Sequence, residues 1–310
     1  MWPLTWSLPS LWLALYLLSF ALHAVFVSYV AAGTGYVLVS RDRDPLAARV
    51  RDWLPFMLGA GITAGVGPLL FLQLLYQHRF YTANLLMGPR WGAVVPALVV
   101  GFYALYLAKA GTWRRIALAV GLGCFAFVAW SWTELHQLML SDDRWRTLYE
   151  QGTRVTSTAA VVPRLAMWFG VMLALFAVIA AWQTEARRRI AVLALVGIAI
   201  AAVAGFAAGS PTAAHGWMHV LVVAIAVAVV GWGLVVRRPD GIGLSLATGA
   251  TTAALLAGAV VREAPRLAAF TEPVRADAAA AGGAVLFVAT LALGIALIAW
   301  VARAIRREIS

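Results

Sequence analysis

Charge is what this chain has least of. Only 12% of its 310 residues are Asp, Glu, Lys or Arg, while 63% are hydrophobic. Soluble globular domains carry roughly 25% charged residues, so an ordinary soluble domain is excluded. Cysteine is nearly absent as well, with Cys124 alone in an apolar run. No intrachain disulfide, CxxC or CxxCH motif can then exist, which excludes a covalently attached c-type haem or a cysteine-held iron–sulfur cluster in this chain. HExxH is missing too. The first ten residues hold no Lys or Arg, so the basic region of a cleavable signal peptide is not expected. No internal repeat is visible, which argues against a secondary transporter built from inverted halves.

What is present is a series of apolar runs, each long enough to cross about 30 Å of hydrocarbon. They lie at about 11–39, 53–76, 91–110, 115–140, 159–182, 189–208, 214–236, 242–261 and 280–302. The expectation is an all-α, polytopic transmembrane helical bundle of about nine spans, a single integral membrane domain over residues 1–310. The longest segments between spans are Ser141–Thr158 and Arg262–Ala279, too short for a soluble domain. The net charge of +11 comes from basic residues placed between the runs. Membrane orientation explains it without nucleic acid. Loops on the side of the C-terminus hold 15 Lys and Arg, those on the side of the N-terminus nine. That bias puts the N-terminus outside and the C-terminus in the cytoplasm, in a cytoplasmic (inner) membrane. Trp2, Trp6, Trp12, Trp91, Trp130, Trp132 and Trp145 then fall near outer ends, as an interfacial aromatic belt would.

Trp53–Tyr81 departs most from a plain lipid-spanning helix. Gly59, Gly61, Gly65 and Gly67 offer a close-approach surface, and Pro68 frees a backbone carbonyl. Gln73, His78 and Arg79 follow. We read this stretch as the wall of an internal site near one membrane face.

All five histidines, His23, His78, His136, His215 and His219, lie in or at the end of a predicted span. Four map toward the outer leaflet, while His23 lies about 12 residues into the first span, about 18 Å down. Imidazoles on different helices are how a bundle holds haem; terminal histidines also serve as plain interfacial side chains. His215 and His219 share a helical face at i, i+4, and one of them as an axial ligand suits Gly216 beside it. Met167 and Met218 are packing residues or thioether ligands. Glu134 is the one acid embedded in a span, a proton relay or a partner for Arg146 or Arg154; Gln73 is a second candidate for a polar relay.

The order of these features resembles subunit I of the cytochrome bd-type quinol oxidases over roughly the first 180 residues. The residues that carry the resemblance are Leu22-His23-Ala24-Val25-Phe26-Val27 with Gly33 and Gly35, then Gly65-Val66-Gly67-Pro68-Leu69-Leu70-Phe71-Leu72-Gln73 with Arg79-Phe80-Tyr81, and Ala129-Trp130-Ser131-Trp132. Departures go with them. Leu70 replaces an acid, the span Trp91–Ala110 has none, Met167 stands near the place of a fifth-helix histidine, and the long quinol loop is cut to about Gly209–Ala214. The resemblance therefore implies a shortened electron-transfer subunit, working inside a larger respiratory assembly with quinol or quinone and other subunits. It is not an oxygen reductase by itself. Its expected cofactor is haem b, with His23 and His219 as leading iron ligands and His136, His78 and Met167 next. The alternative is a haem-free membrane anchor or scaffold in contact with lipid. The orientation is checked by reporter fusions after Arg189 and Arg307, both expected to report cytoplasm; an external signal at both would invert the bundle.

Overall fold

The computed structural model describes residues 8–111, 113–152, 158–209, 215–239 and 241–269, with Ala292 singly. Every regular element among them is a helix: α1 (Leu8–Val39), α2 (Pro45–Leu75), α3 (Gln77–Met87), α4 (Pro89–Gly92), α5 (Val94–Ala110), α6 (Arg114–Leu140), α7 (Asp142–Glu150), α8 (Val161–Ala181), α9 (Arg187–Ala207), α10 (His215–Arg237) and α11 (Gly241–Ala269). Eight stretches are long and apolar enough to cross a membrane: α1, α2, α4 with α5, α6, α8, α9, α10 and α11. They coincide with eight of the expected runs. The run at 280–302 lies outside the described residues.

Helix limits differ from the apolar limits where caps and polar turns intervene. α2 starts at Pro45, eight residues before its apolar run, because the Asp44 carboxylate accepts the N–H groups of Leu46 and Ala47 and proline occupies the first turn. Such a cap satisfies orphan donors and a proline there forfeits nothing. The helix then continues through both Pro55 and Pro68. The break comes at Tyr76, with φ −136° and ψ 37°, and the chain resumes as the short α3. His78 and Arg79 thus stand on a separate helix rather than on the last turn of the span. Ser141–Thr158, expected as a connection, contains α7.

Sequential spans pair as antiparallel hairpins, α1 with α2, α5 with α6, α8 with α9 and α10 with α11, and α1 also packs on α6, α8 and α11. Of three buried clusters, the two larger ones divide the bundle along its length. At the end where α1 begins, Trp12, Tyr16, Phe71, Phe80, Met87, Leu135 and Met139 form an aromatic core. Toward the other end the core is finer grained, with Tyr29, Leu54, Phe176, Ala177, Ala191, Ala194, Trp232 and Ala247.

Lipid tails are as apolar as leucine, so helices in a membrane associate chiefly by close packing and interhelical hydrogen bonds. Both are present. A Cβ on Gly197 would lie 2.6 Å from the Gly170 carbonyl oxygen, and one on Gly170 would lie 2.5 Å from the Ala201 nitrogen. Hence α8 and α9 touch backbone to backbone. α10 and α11 do the same at Gly231 and Ala247, and the Trp232 indole N–H donates to Thr251 Oγ1 at 3.1 Å across that pair. Gly197→Ala is therefore expected to lower stability by about 1–3 kcal/mol through overpacking. Gly123→Ala, where an added methyl meets nothing within 4 Å, should be neutral or stabilising by up to about 1 kcal/mol. Chemical unfolding of the two variants in detergent micelles reads the difference.

Candidate functional site

The α1–α2 seam is built on glycine. Gly61 faces Phe26, Gly65 faces His23 and Gly67 faces Ser19. An added Cβ at Gly65 would come 2.8 Å from the His23 ring, so only glycine lets the imidazole lie flat along α2. His23 is half-buried, and its Nδ1 is 2.8 Å from the Gly61 carbonyl oxygen. A carbonyl can only accept, so Nδ1 carries the proton and donates it, and Nε2 keeps its lone pair. A carbonyl on one ring nitrogen, orienting the other, is the support that metal-bound histidines commonly have. The carbonyl that Pro68 frees belongs to Ala64, because the missing N–H is four residues on; His23 bonds to a different one, a turn earlier.

A second polar site closes the same end of the bundle as the aromatic core. Glu134 on α6 is 0% exposed. One carboxylate oxygen, Oε2, accepts the Thr158 N–H at 3.1 Å, while Oε1 has no hydrogen-bond partner among the described residues. Gln137 Nε2, on the next turn of α6, and Thr158 Oγ1 are also buried without a hydrogen-bond partner among the described residues. Arg90, at the start of the α4–α5 span, interacts electrostatically with Glu134. Its guanidinium lies 3.7 Å from the ring centre of Trp130, and its Nε donates to Ser131 Oγ at 3.3 Å. Trp91 meets Trp132 edge to face, with ring centres 4.8 Å apart. The cation expected beside Glu134 was Arg146 or Arg154. The structure supplies Arg90, and Arg154 lies outside the described residues.

α3 and α7 hold this end of α6 together. The last carbonyls of a helix have no intrahelical donors. Here Gln137 O accepts Ser141 Oγ, Leu138 O accepts the Trp145 indole N–H at 2.8 Å, and Met139 O accepts an Arg79 N–H at 3.3 Å. His78 is exposed on α3 and meets Trp145 edge to face, with ring centres 6.1 Å apart. Gln73 accepts a long 3.4 Å bond from the Tyr81 hydroxyl. His136 is half-buried on α6, two residues beyond Glu134.

The remaining candidates lie elsewhere. His219 is exposed and opens, with Val220, Val223, Ser245 and Gly249, on a groove of about 680 Å³ between α10 and α11. Met167 packs its sulfur toward Gly205 of α9. His215 begins α10. His23 and His219 therefore face separate seams, and the structure does not bring them to opposite faces of one gap. Among the described residues no group of three or more His, Cys, Asp or Glu is placed to hold a metal ion. Two residues escaped sequence reasoning. Arg90 carried a signal, a cation set between Pro89 and Trp91 at the edge of an apolar run. Arg262, on α11, donates to the Tyr16 hydroxyl at 3.0 Å and lies over the Phe20 ring; its place past the last apolar residues disguised it as loop.

Fold and site together define a multi-pass helical membrane protein. No protein-family model matches the chain, and no curated protein is significantly similar to it.

Removing the Glu134 side chain leaves the Thr158 N–H without its acceptor and takes away a carboxylate that interacts electrostatically with Arg90. Glu134→Ala should lower the unfolding free energy by about 1.5–3 kcal/mol, the range for hydrogen bonds to charged groups. Glu134→Gln, which keeps an oxygen for Thr158, should lose less than half of that. Equal losses in micelle-based unfolding would mean the bond to Thr158 carries little.

Proposed function

We propose that this chain is an electron-transfer subunit of the cytoplasmic membrane, related to cytochrome bd subunit I, that holds a b-type haem on His23 and works with quinol inside a larger complex. The observation that carries the reading is the seat of His23. The ring is fixed by its Nδ1–H bond to Gly61, its Nε2 lone pair is uncommitted, and Gly65 clears the wall beside it. A single histidine seated in this way would offer one nitrogen, Nε2, to a haem. The expected pairing with His219 does not fit, because that side chain opens on the α10–α11 groove. Haem b supplies one-electron redox chemistry when bound. Gly61 orients His23, the aromatic core between α1, α2 and α6 keeps water from that end, and Glu134 Oε1 holds or passes a proton there. With the N-terminus outside, Glu134, Arg90 and Arg262 belong to the outer face, on the side of an external electron acceptor.

The second reading is a haem-free anchor, and the separation of His23 from His219 favours it. His23 would then act as an interhelical hydrogen bond, tying α1 to α2.

One preparation separates the readings. If His23 holds haem, purified protein shows a reduced-minus-oxidised b-type absorption band that His23→Ala removes. If the chain is an anchor, neither protein has the band, and His23→Ala lowers stability by about 0.5–2 kcal/mol through the lost interhelical bond. Under both readings quinol-dependent oxygen uptake by the isolated chain stays at the level of a haem-free control, because α5 carries no acid to feed protons to an oxygen site.

A further inference from the structure

The end of the bundle opposite Glu134 holds a cavity that electron transfer does not use. It is formed where the α5–α6 hairpin meets the second turn of α2, measures about 530 Å³, and is lined by Arg51, Gly111, Trp113, Arg114, Arg115 and Ile116. All three helices are membrane spans whose apolar parts end here, which sets the cavity at the depth of lipid headgroups.

The charges in it are unequal. Arg51 pairs with Asp52 at 3.0 Å and Arg114 pairs with Asp42. Arg115 is exposed and meets no carboxylate among the described residues. Lys109, on the other helix of the hairpin, is exposed in the last turn of α5. The local set of four cations and two anions therefore carries an uncompensated charge of +2. Guanidinium groups recognise phosphate oxygens through paired N–H donors. The other walls are apolar and open outward, with Trp113 76% exposed and Ile116 61% exposed. Indoles at that depth sit among headgroups, and an exposed isoleucine below them faces acyl chain. A free anion would use the arginines but leave the apolar wall bare.

We propose that this cavity binds one anionic phospholipid, its phosphodiester on Arg115 with Arg51 and Arg114, its acyl chain along Ile116. The site ties the α5–α6 hairpin to α2 through the lipid and makes the bundle sensitive to the anionic lipid content of its leaflet.

The test uses the full chain purified in detergent, with bound lipid counted by native mass spectrometry as phosphatidylglycerol or phosphatidylcholine is added. Wild type should retain phosphatidylglycerol more tightly. Arg115→Gln should weaken that retention by about fivefold, the equivalent of one basic side chain at an anionic surface, and leave phosphatidylcholine unchanged. Arg115 makes no hydrogen bond or ion pair among the described residues, so its variant should unfold at the wild-type temperature. Arg144→Gln, on α7 at the other end, should change nothing. Ile116→Ser should weaken both lipids if the acyl chain lies where proposed. Equal retention of the two lipids by wild type would overturn the site, as would an Arg115→Gln protein that binds like wild type. Complete displacement of the lipid by millimolar inorganic phosphate would assign the arginines to a free anion and defeat the lipid proposal.

Discussion

Backbone proximity between helices is the constraint on which the rest of the bundle depends. In water a helix gains about 25 cal/mol for each Å² of apolar surface it hides; in lipid that gain is absent, and contact distance takes its place. The hairpin α8–α9 closes at Gly170 and Gly197, α10–α11 closes at Gly231 and Ala247, and α1–α2 closes at Gly61 and Gly65. The third differs from the first two. Where α8 and α9 bring peptide against peptide, α1 brings an imidazole against α2, and the glycine leaves room for a ring instead of for a backbone. A packing device has been turned into a seat.

Hydrogen bonds follow from the same closeness. Backbone groups within lipid must be satisfied inside the protein, and ring nitrogens and hydroxyls obey the same rule. His23 reaches Gly61, Trp232 reaches Thr251, and Trp182 reaches Thr248 from the end of α8. The first two join helices that small residues have already drawn together, and the third ties α8 to α11. Among the described residues, buried polar atoms without a hydrogen-bond partner include Glu134 Oε1 and Gln137 Nε2 at the end of α6, and Tyr29 Oη, Gln183 Oε1 and Arg187 Nε elsewhere in the bundle. At the end of α6, α3 and α7 cover the helix terminus, and packing is aromatic rather than small-residue.

The spans were legible in the sequence because apolar length is a direct physical requirement for crossing lipid. Helix ends were less so. Asp44 and Pro45 begin α2 through a cap that hydropathy does not register, and Tyr76 rather than Pro68 breaks it. Proline is tolerated inside a span when neighbours take over the freed group, so a Pro in an apolar run marks no boundary by itself. His23 stood out as an imidazole deep in a span, and the glycines of α2 stood out as a close-approach face. Their meeting was not legible, because apolar periodicity does not say which face of α1 lies on which face of α2. Arg90 and Arg262 were missed for a related reason. A cation at the edge of an apolar run reads as a topology signal, and only the fold shows Arg90 over Trp130 and Arg262 over Phe20.

The two ends of the bundle treat charge in opposite ways. At the end of α6, Glu134 and Glu263 are wholly buried, and Arg90 and Arg262 lie against aromatic faces. Burying polar and ionisable groups is costly unless they are paired or hydrogen-bonded, so this end carries a free-energy burden that packing alone would not select. At the start of α2 and α6 the ion pairs Arg51–Asp52 and Arg114–Asp42 are largely exposed on their acidic side, and exposed pairs contribute roughly 0–1 kcal/mol. The second arrangement suits a surface that meets mobile headgroups and can exchange partners. The first suits a fixed electrostatic field at a place where charge is received or released. A bundle that served only to anchor other subunits would have use for the second end, and its first end could be apolar throughout. Buried Glu134, with one oxygen bonded to Thr158 and the other without a hydrogen-bond partner among the described residues, is the point at which that burden is greatest on α6.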